Sequence, residues 1–200
     1  MAGGLIEPAR AATLTRRGLY LEYATLAWNV VGSVVVIMSA VAARSVALAG
    51  FGIDSLIEIF ASVVVVWQLK GVDRDREEKA MRYIGLAFFG LAVYLLAQAA
   101  LTLATGTHAQ SSPLGIGWLT ATLAAMLLLA TGKRLTGREL RNPVLEKESY
   151  VTLIDALLAA AVLAGLVLNA LAGWWWADTA AGLVIVYYGV KEGREAFFGE

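Results

Sequence analysis

The sequence predicts an all-α, polytopic membrane protein with six transmembrane helices. Of its 200 residues, 59% are hydrophobic and only 16% are charged, against roughly 25% charged residues in an ordinary soluble domain. A helix needs about 20 apolar residues to cross the hydrocarbon core. Six stretches approach that length, at residues 19–43, 45–69, 84–104, 114–130, 151–171 and 174–190. Backbone groups in lipid must be satisfied internally, so these spans are helices rather than strands.

The distribution of basic residues predicts the orientation. Fifteen of the 16 Lys and Arg residues lie before the first span, after the second and fourth spans, or at the C-terminal end, and only Arg44 lies on the other side. By the positive-inside rule, both termini are cytoplasmic. We therefore expect a cytoplasmic segment at 1–18, a six-helix transmembrane domain at 19–195 and a short cytoplasmic tail at 196–200. We expect an integral, multi-pass membrane protein, which in a bacterium would lie in the inner (cytoplasmic) membrane.

The connections between spans differ in length. Those on the outer side are predicted to be short, and they include residues 43–44, the segment 107–113 with the surface residue His108, and residues 172–173. The connection at 132–149 is predicted to be the longest loop, because Asn142-Pro143 interrupts any helix near its middle. Trp174, Trp175 and Trp176 are expected to anchor the chain at the outer interface.

Three carboxylates lie well inside spans. Asp54 and Glu58 are one turn apart and share a helix face, and Asp155 lies in the fifth span. Each costs about 2.5–3.5 kcal/mol at a helix centre, so two on one face favour a shared cation or proton. The alternative is a structural pair that is protonated or bonded to Ser and Asn of neighbouring helices. At about 1.5 Å per residue, Asp155 lies about 6–9 Å and Glu58 about 16 Å from the cytoplasmic edge, unless the fifth helix projects below the membrane.

Other polar residues near these spans have simpler interpretations. Asn29 and Gln98 are expected to form hydrogen bonds between helices. Glu22 is expected to snorkel or to pair with the N-terminal arginines. Glu148, on the face of Asp155, either guides cations or is a solvated helix start, and the second interpretation is favoured.

The second span carries a resemblance to a known family. It reads SVAL at 45–48 and DSLIE at 54–58, and it resembles the second span of the cation diffusion facilitator family. Asn29 in the first span and Asp178 in the sixth also look family-like. The likeness covers all six spans and is specific mainly in the second. Only the transmembrane module is matched, which is similar to the short branch of the family that lacks the C-terminal cytoplasmic domain.

The resemblance implies metal efflux by alternating access, in exchange for protons and usually in a dimer. Family members supply a pair of ligands four residues apart in the fifth span. Here Val151 stands four residues before Asp155, so only Asp155 carries over. The remaining ligand is expected from Thr152, Ser55, a backbone carbonyl or water.

The sequence therefore favours a divalent cation transporter with Asp54, Glu58 and Asp155 as metal ligands. Its partners would be the lipid bilayer, the cation, protons and a second copy of the chain, with no nucleic acid and no cofactor beyond the transported ion. Oxygen ligands suit manganese or magnesium, whereas zinc rests on the resemblance. The alternative is a non-transporting membrane scaffold or regulatory subunit. An enzyme is disfavoured, because there is no cysteine and no HExxH or GxSxG motif.

Overall fold

The computed structural model describes residues 8–69, 74–106 and 109–198, and in these ranges it is helical without strands. The predicted all-α fold with six helices is confirmed: α1 (Pro8–Ala43), α2 (Val46–Leu69), α3 (Arg74–Thr105), α4 (Pro113–Leu140), α5 (Pro143–Ala172) and α6 (Trp175–Phe198). Helices α1 to α5 are long and apolar enough to cross a membrane. Helix α6 carries four charged residues among its last eight, at 191, 192, 194 and 195. His108, residues 1–7 and 70–73, and the end of the predicted tail at 199–200 lie outside the described residues.

The helices reach further toward the predicted cytoplasmic side than the apolar stretches do. Helix α1 begins at Pro8, inside the segment predicted to precede the membrane domain, and α5 begins at Pro143 rather than at residue 151. Which side faces the cytoplasm stays a prediction. The consequence for the site is that residues near the starts of these apolar spans lie deep within continuous helices.

The prediction of a long loop between the fourth and fifth spans is wrong, because only Arg141 and Asn142 separate α4 from α5. Arg141 adopts the left-handed conformation (φ 55°, ψ 39°) that ends α4. The Asn142 N–H donates to Gly137 O at 2.9 Å, and Asn142 Oδ1 accepts from Leu145 N at 3.0 Å. The helix is interrupted before Pro143 as expected, but Pro143 is also the first residue of the next helix, where its missing N–H costs nothing.

The helices pack as two groups. The most extensive contacts join α4 to α5, α1 to α2, and α3 to α6, and α1 also packs on α4. Helices α1, α2, α4 and α5 therefore surround a common interior, and the α3–α6 pair packs against it through α2 and α5. Because α2 contacts α1, α3, α5 and α6, its carboxylates lie where the two groups meet.

The interior is apolar toward the predicted outer side and polar toward the predicted cytoplasmic side. The buried outer part is mainly hydrophobic, with Val36, Leu48, Phe51, Leu119, Val162 and Leu166, and it also contains Ser45 and Asp178 where α2 begins. The buried inner part includes Glu22, Thr25, Asn29, Glu58, Ser62, Lys133, Thr136, Glu148, Thr152 and Asp155. Buried polar groups at membrane depth are costly, so this polar half is where function is to be sought.

Candidate cation site

The three carboxylates predicted from the sequence line one narrow cleft between α2, α5 and α6. Asp54 and Glu58 are each 4% exposed and Asp155 is 2% exposed. The difference in depth expected from the apolar stretches is absent, since all three side chains line the same cleft and α5 begins eight residues before its apolar stretch. Asp155 is therefore about 18 Å along its helix at about 1.5 Å per residue, so the fifth helix projects beyond the membrane edge assumed from hydropathy.

The cleft is small, with a volume of about 10 Å³. That is roughly the space that one water molecule needs. Among the described residues, no three His, Asp or Glu side chains are close enough together to hold a metal ion as they stand. The structure thus brings the predicted ligands to one cleft, and their joint ligation of a cation stays a prediction.

Asp155 is the unusual member of this group. Its Oδ1 and Oδ2 atoms are both buried, and neither has a hydrogen-bond partner among the described residues. A buried carboxylate without a partner is far more costly than one that accepts hydrogen bonds. A bound cation or a proton would remove that cost.

Glu58 is held from a neighbouring helix. Asn29 Nδ2 on α1 donates to Glu58 Oε2 at 2.7 Å, and both residues are buried. The predicted role of Asn29 in interhelical hydrogen bonding is confirmed. This bond fixes one oxygen of Glu58, so a cation in the cleft would meet a carboxylate that is already oriented.

Sequence reasoning missed Glu192, which lines the cleft from α6. Its neighbours Lys191 and Arg194 are charged, so the sequence predicts that this part of the chain is solvated at the edge of the membrane. A signal was present, because Tyr188 lies one turn before Glu192 and both line the cleft. The side chain of Val151 also lines the cleft, so the position of the absent family ligand is apolar.

The other ligands suggested from the sequence are engaged elsewhere. Ser55 Oγ donates to Phe51 O in its own helix at 3.0 Å. Thr152 Oγ1 accepts from Lys133 Nζ at 3.0 Å and lies 3.1 Å from Glu148 Oε2. Neither side chain lines the cleft.

Lys133, Glu22, Glu148 and Thr152 form a buried ionic group, called the inner cluster below. Lys133 was predicted to lie in a cytoplasmic loop, yet its side chain is fully buried in α4. Its Nζ atom donates to Glu148 Oε2 at 2.5 Å and lies 3.1 Å from Glu22 Oε2, at ion-pair distance. The expectations that Glu148 is solvated and that Glu22 snorkels or pairs with an arginine are therefore wrong. Continuation of α4 through Lys133 places its ammonium between α1 and α5.

Comparison with known proteins agrees with the fold. A family model for the cation efflux transmembrane domain matches residues 23–198. The magnetosome protein MamB of Magnetospira sp. (strain QH-2) is 25% identical over 170 residues, covering 78% of this chain and 58% of MamB. The chain thus spans little more than half the length of that relative.

Proposed function

Because the chain belongs to the cation efflux family, we propose that it moves a divalent metal cation across the membrane through Asp54, Glu58 and Asp155. The observation that carries this proposal is the carboxylate of Asp155. It is buried in the cleft that Asp54 and Glu58 also line, and its oxygens have no hydrogen-bond partner among the described residues. A cation in the cleft would supply the missing partner.

Charge balance supports exchange of the cation against protons. Several carboxylates in a water-poor cleft are costly when all are ionised and nothing neutralises them. Metal ligation needs deprotonated carboxylates, and two protons replace the charge of one divalent cation. The cleft can therefore alternate between a protonated and a metal-bound state without accumulating buried charge.

The polarity of the interior supports a direction of access. Buried charged residues extend from the cleft toward the predicted cytoplasmic side, whereas the buried residues of the outer half are mainly hydrophobic. In this conformation a cation would reach the cleft from the cytoplasm. Its release on the other side would require the outer halves of the helices to separate, which is the alternating-access step of efflux.

The donor atoms bear on the identity of the metal. Asp54, Glu58, Asp155 and Glu192 offer oxygen atoms to the cleft, and Val151 offers none. Oxygen ligands suit hard cations such as Mn²⁺, whereas imidazole and thiolate favour Zn²⁺. Of zinc and manganese, manganese thus fits the cleft better. Assembly as a homodimer and location in a cytoplasmic membrane are parts of the proposal that rest on the family.

Transport in proteoliposomes tests the proposal. With a dye that reports Mn²⁺ inside the vesicle and a pH gradient, the unaltered protein should move Mn²⁺. Asp54→Asn, Glu58→Gln and Asp155→Asn should each slow uptake by at least about ten-fold, corresponding to about 1.4 kcal/mol. The matched control is Glu139→Gln, which removes an exposed carboxylate paired with Arg10 at the end of α4.

The outcomes distinguish the two interpretations of the carboxylates, as a cation site or as a structural polar cluster. If the three variants transport as fast as the unaltered protein and the control, the cation site is wrong. If the unaltered protein itself moves neither Mn²⁺ nor Zn²⁺, the carboxylates form a structural polar cluster and the scaffold alternative is favoured.

A further inference from the structure

The inner cluster repeats the spacing of the candidate site. On α1, Glu22 lies seven residues before Asn29, and on α5, Glu148 lies seven residues before Asp155. Seven residues are close to two turns, or about 10 Å, and return to the same helix face. The inner cluster therefore forms a second polar layer about 10 Å from the first, on its predicted cytoplasmic side.

The inner cluster already holds a cation, the ammonium of Lys133. Its Nζ atom contacts carboxylate oxygens from two helices, Glu148 Oε2 at 2.5 Å and Glu22 Oε2 at 3.1 Å. Within the cluster, one positive charge faces two carboxyl groups. Glu22 is fully buried, and neither of its oxygens accepts a well-formed hydrogen bond from the described residues. The Glu22–Glu148 pair is thus arranged around one cation and is incompletely neutralised by it.

We propose that Glu22 and Glu148 form a second cation-binding station, in which the Lys133 ammonium acts as a tethered cation that a divalent ion displaces. A lysine is suited to this exchange because its charge sits on a flexible four-carbon stem. Displacement would also break the ionic contacts of α4 with α1 and α5, since Lys133 is the α4 member of the cluster. The place of the station on a transport path rests on the proposed function, whereas its capacity to bind a cation does not.

Removal of the ammonium tests the binding directly. Lys133→Ala should bind one additional Mn²⁺ per chain, counted from the electron paramagnetic resonance signal of free Mn²⁺ in detergent solution. Addition of Glu148→Gln to this variant should abolish the extra ion. The matched control is Arg134→Ala, which removes an exposed charge whose Cζ atom lies 5.3 Å from the centre of the Tyr150 ring; it should bind no additional Mn²⁺. Absence of the extra ion in Lys133→Ala would overturn the proposal.

Stability gives a second measurement on the same variants. Lys133→Ala leaves two buried carboxyl groups without their counter-ion, a change that destabilises proteins strongly. The Lys133→Ala variant is therefore purified with Mn²⁺ present. The difference between its melting temperatures with and without Mn²⁺ should be larger than for the unaltered protein, because a ligand stabilises the state that binds it. An equal rise in both would contradict the station.

Glu22→Gln tests the station in a chain that keeps the Lys133–Glu148 pair and so should fold. It should raise the KM for Mn²⁺ uptake several-fold and leave equilibrium Mn²⁺ binding at the candidate site unchanged. A lower melting temperature with an unchanged KM would show a purely structural role.

The count of bound Mn²⁺ in Lys133→Ala and its controls is repeated with Asp155→Asn present in every chain. If the unaltered protein does not transport Mn²⁺, the proposed function fails. The second cation-binding station is then judged only by whether Lys133→Ala binds the additional Mn²⁺.

Discussion

Asp178 and Asp155 are both buried acidic residues, but their partners differ. Asp178 Oδ1 accepts from Ser45 Oγ, and its Oδ2 accepts from the backbone N–H of Val46 at 2.9 Å. Ser45 Oγ in turn accepts from Leu48 N at 3.0 Å. Together they cap the start of α2, where a negative charge is favourable. Asp178 is therefore explained by helix capping, whereas Asp155 has no partner among the described residues.

This contrast predicts opposite effects of the same substitution. Asp178→Asn should lower the free energy of unfolding by about 1–2 kcal/mol, because the cap loses a charged acceptor, and should leave Mn²⁺ affinity nearly unchanged. Asp155→Asn should keep or raise the melting temperature, because it removes an unpartnered buried charge, and should abolish Mn²⁺ binding. Thermal melts and Mn²⁺ titrations of the two variants would check this. Identical behaviour would show that the two acids have the same role.

Asn29 is expected to act through Glu58. Asn29→Ala removes the 2.7 Å bond to Glu58 Oε2 and should weaken Mn²⁺ binding by about 10-fold or more, which is typical for residues that orient a metal ligand. Ser33→Ala is the control, because Ser33 is buried on the same helix and donates to Val30 O of that helix. Equal affinities for the two variants, measured by titration, would exclude an orienting role.

Close helix contacts in this fold depend on glycine. A Cβ at Gly85 on α3 would lie 2.8 Å from Phe197 Cβ and 2.9 Å from Gly193 O on α6. Small residues of this kind let transmembrane helices approach until their backbones touch. The α3–α6 pair is thus joined at its predicted cytoplasmic end, near Glu192, and its packing positions the α6 wall of the cleft.

A pair of substitutions on α3 tests this contact. Gly85→Ala should lower the melting temperature, because the added methyl group meets backbone that cannot move aside. Gly90→Ala on the same helix meets nothing within 4 Å and should be neutral or stabilising by about 0.5–1 kcal/mol from helix propensity. Thermal unfolding in one detergent measures both. An equal change in melting temperature would mean that α3 and α6 do not pack closely at Gly85.

Across the whole molecule, the polar interior connects two charged layers. The candidate site joins α2 to α5 and α6, and the inner cluster joins α1, α4 and α5. Helix α5 contributes to both layers, with Asp155 in the first and Glu148 in the second. A cation that moves between them would alter contacts in both groups of helices, which is what a change of access requires.

The choice of metal should follow the donor atoms that line the cleft. Val151→His would place an imidazole four residues before Asp155, on the same face of α5. Because nitrogen donors favour Zn²⁺ over Mn²⁺, the ratio of Zn²⁺ to Mn²⁺ affinity should rise by about ten-fold, equivalent to about 1.4 kcal/mol. Competition titrations would measure the ratio, with Val151→Ala as the control. An unchanged ratio would mean that residue 151 does not face the bound ion.

Much of the fold was predictable because it depends on local properties of the chain. Length and hydropathy determine the membrane class and the number of helices, and helical periodicity puts Asp54 and Glu58 on one face. The capping role of Ser45 and Asp178 was not foreseen, because it joins residues 133 positions apart. Hydropathy also placed the helix ends poorly, since α1, α4 and α5 continue well past their apolar stretches.

The sequence by itself determined that this chain is a six-helix membrane protein with a candidate cation site at Asp54, Glu58 and Asp155. Only the tertiary structure decided what happens to Lys133, Glu22, Glu148 and Glu192, all of which had the local pattern of solvated residues at membrane edges. Burial of Lys133, Glu22 and Glu148 is tolerated because each meets a partner of opposite charge from another helix. That partner is set by the packing of distant segments, which a single sequence does not show.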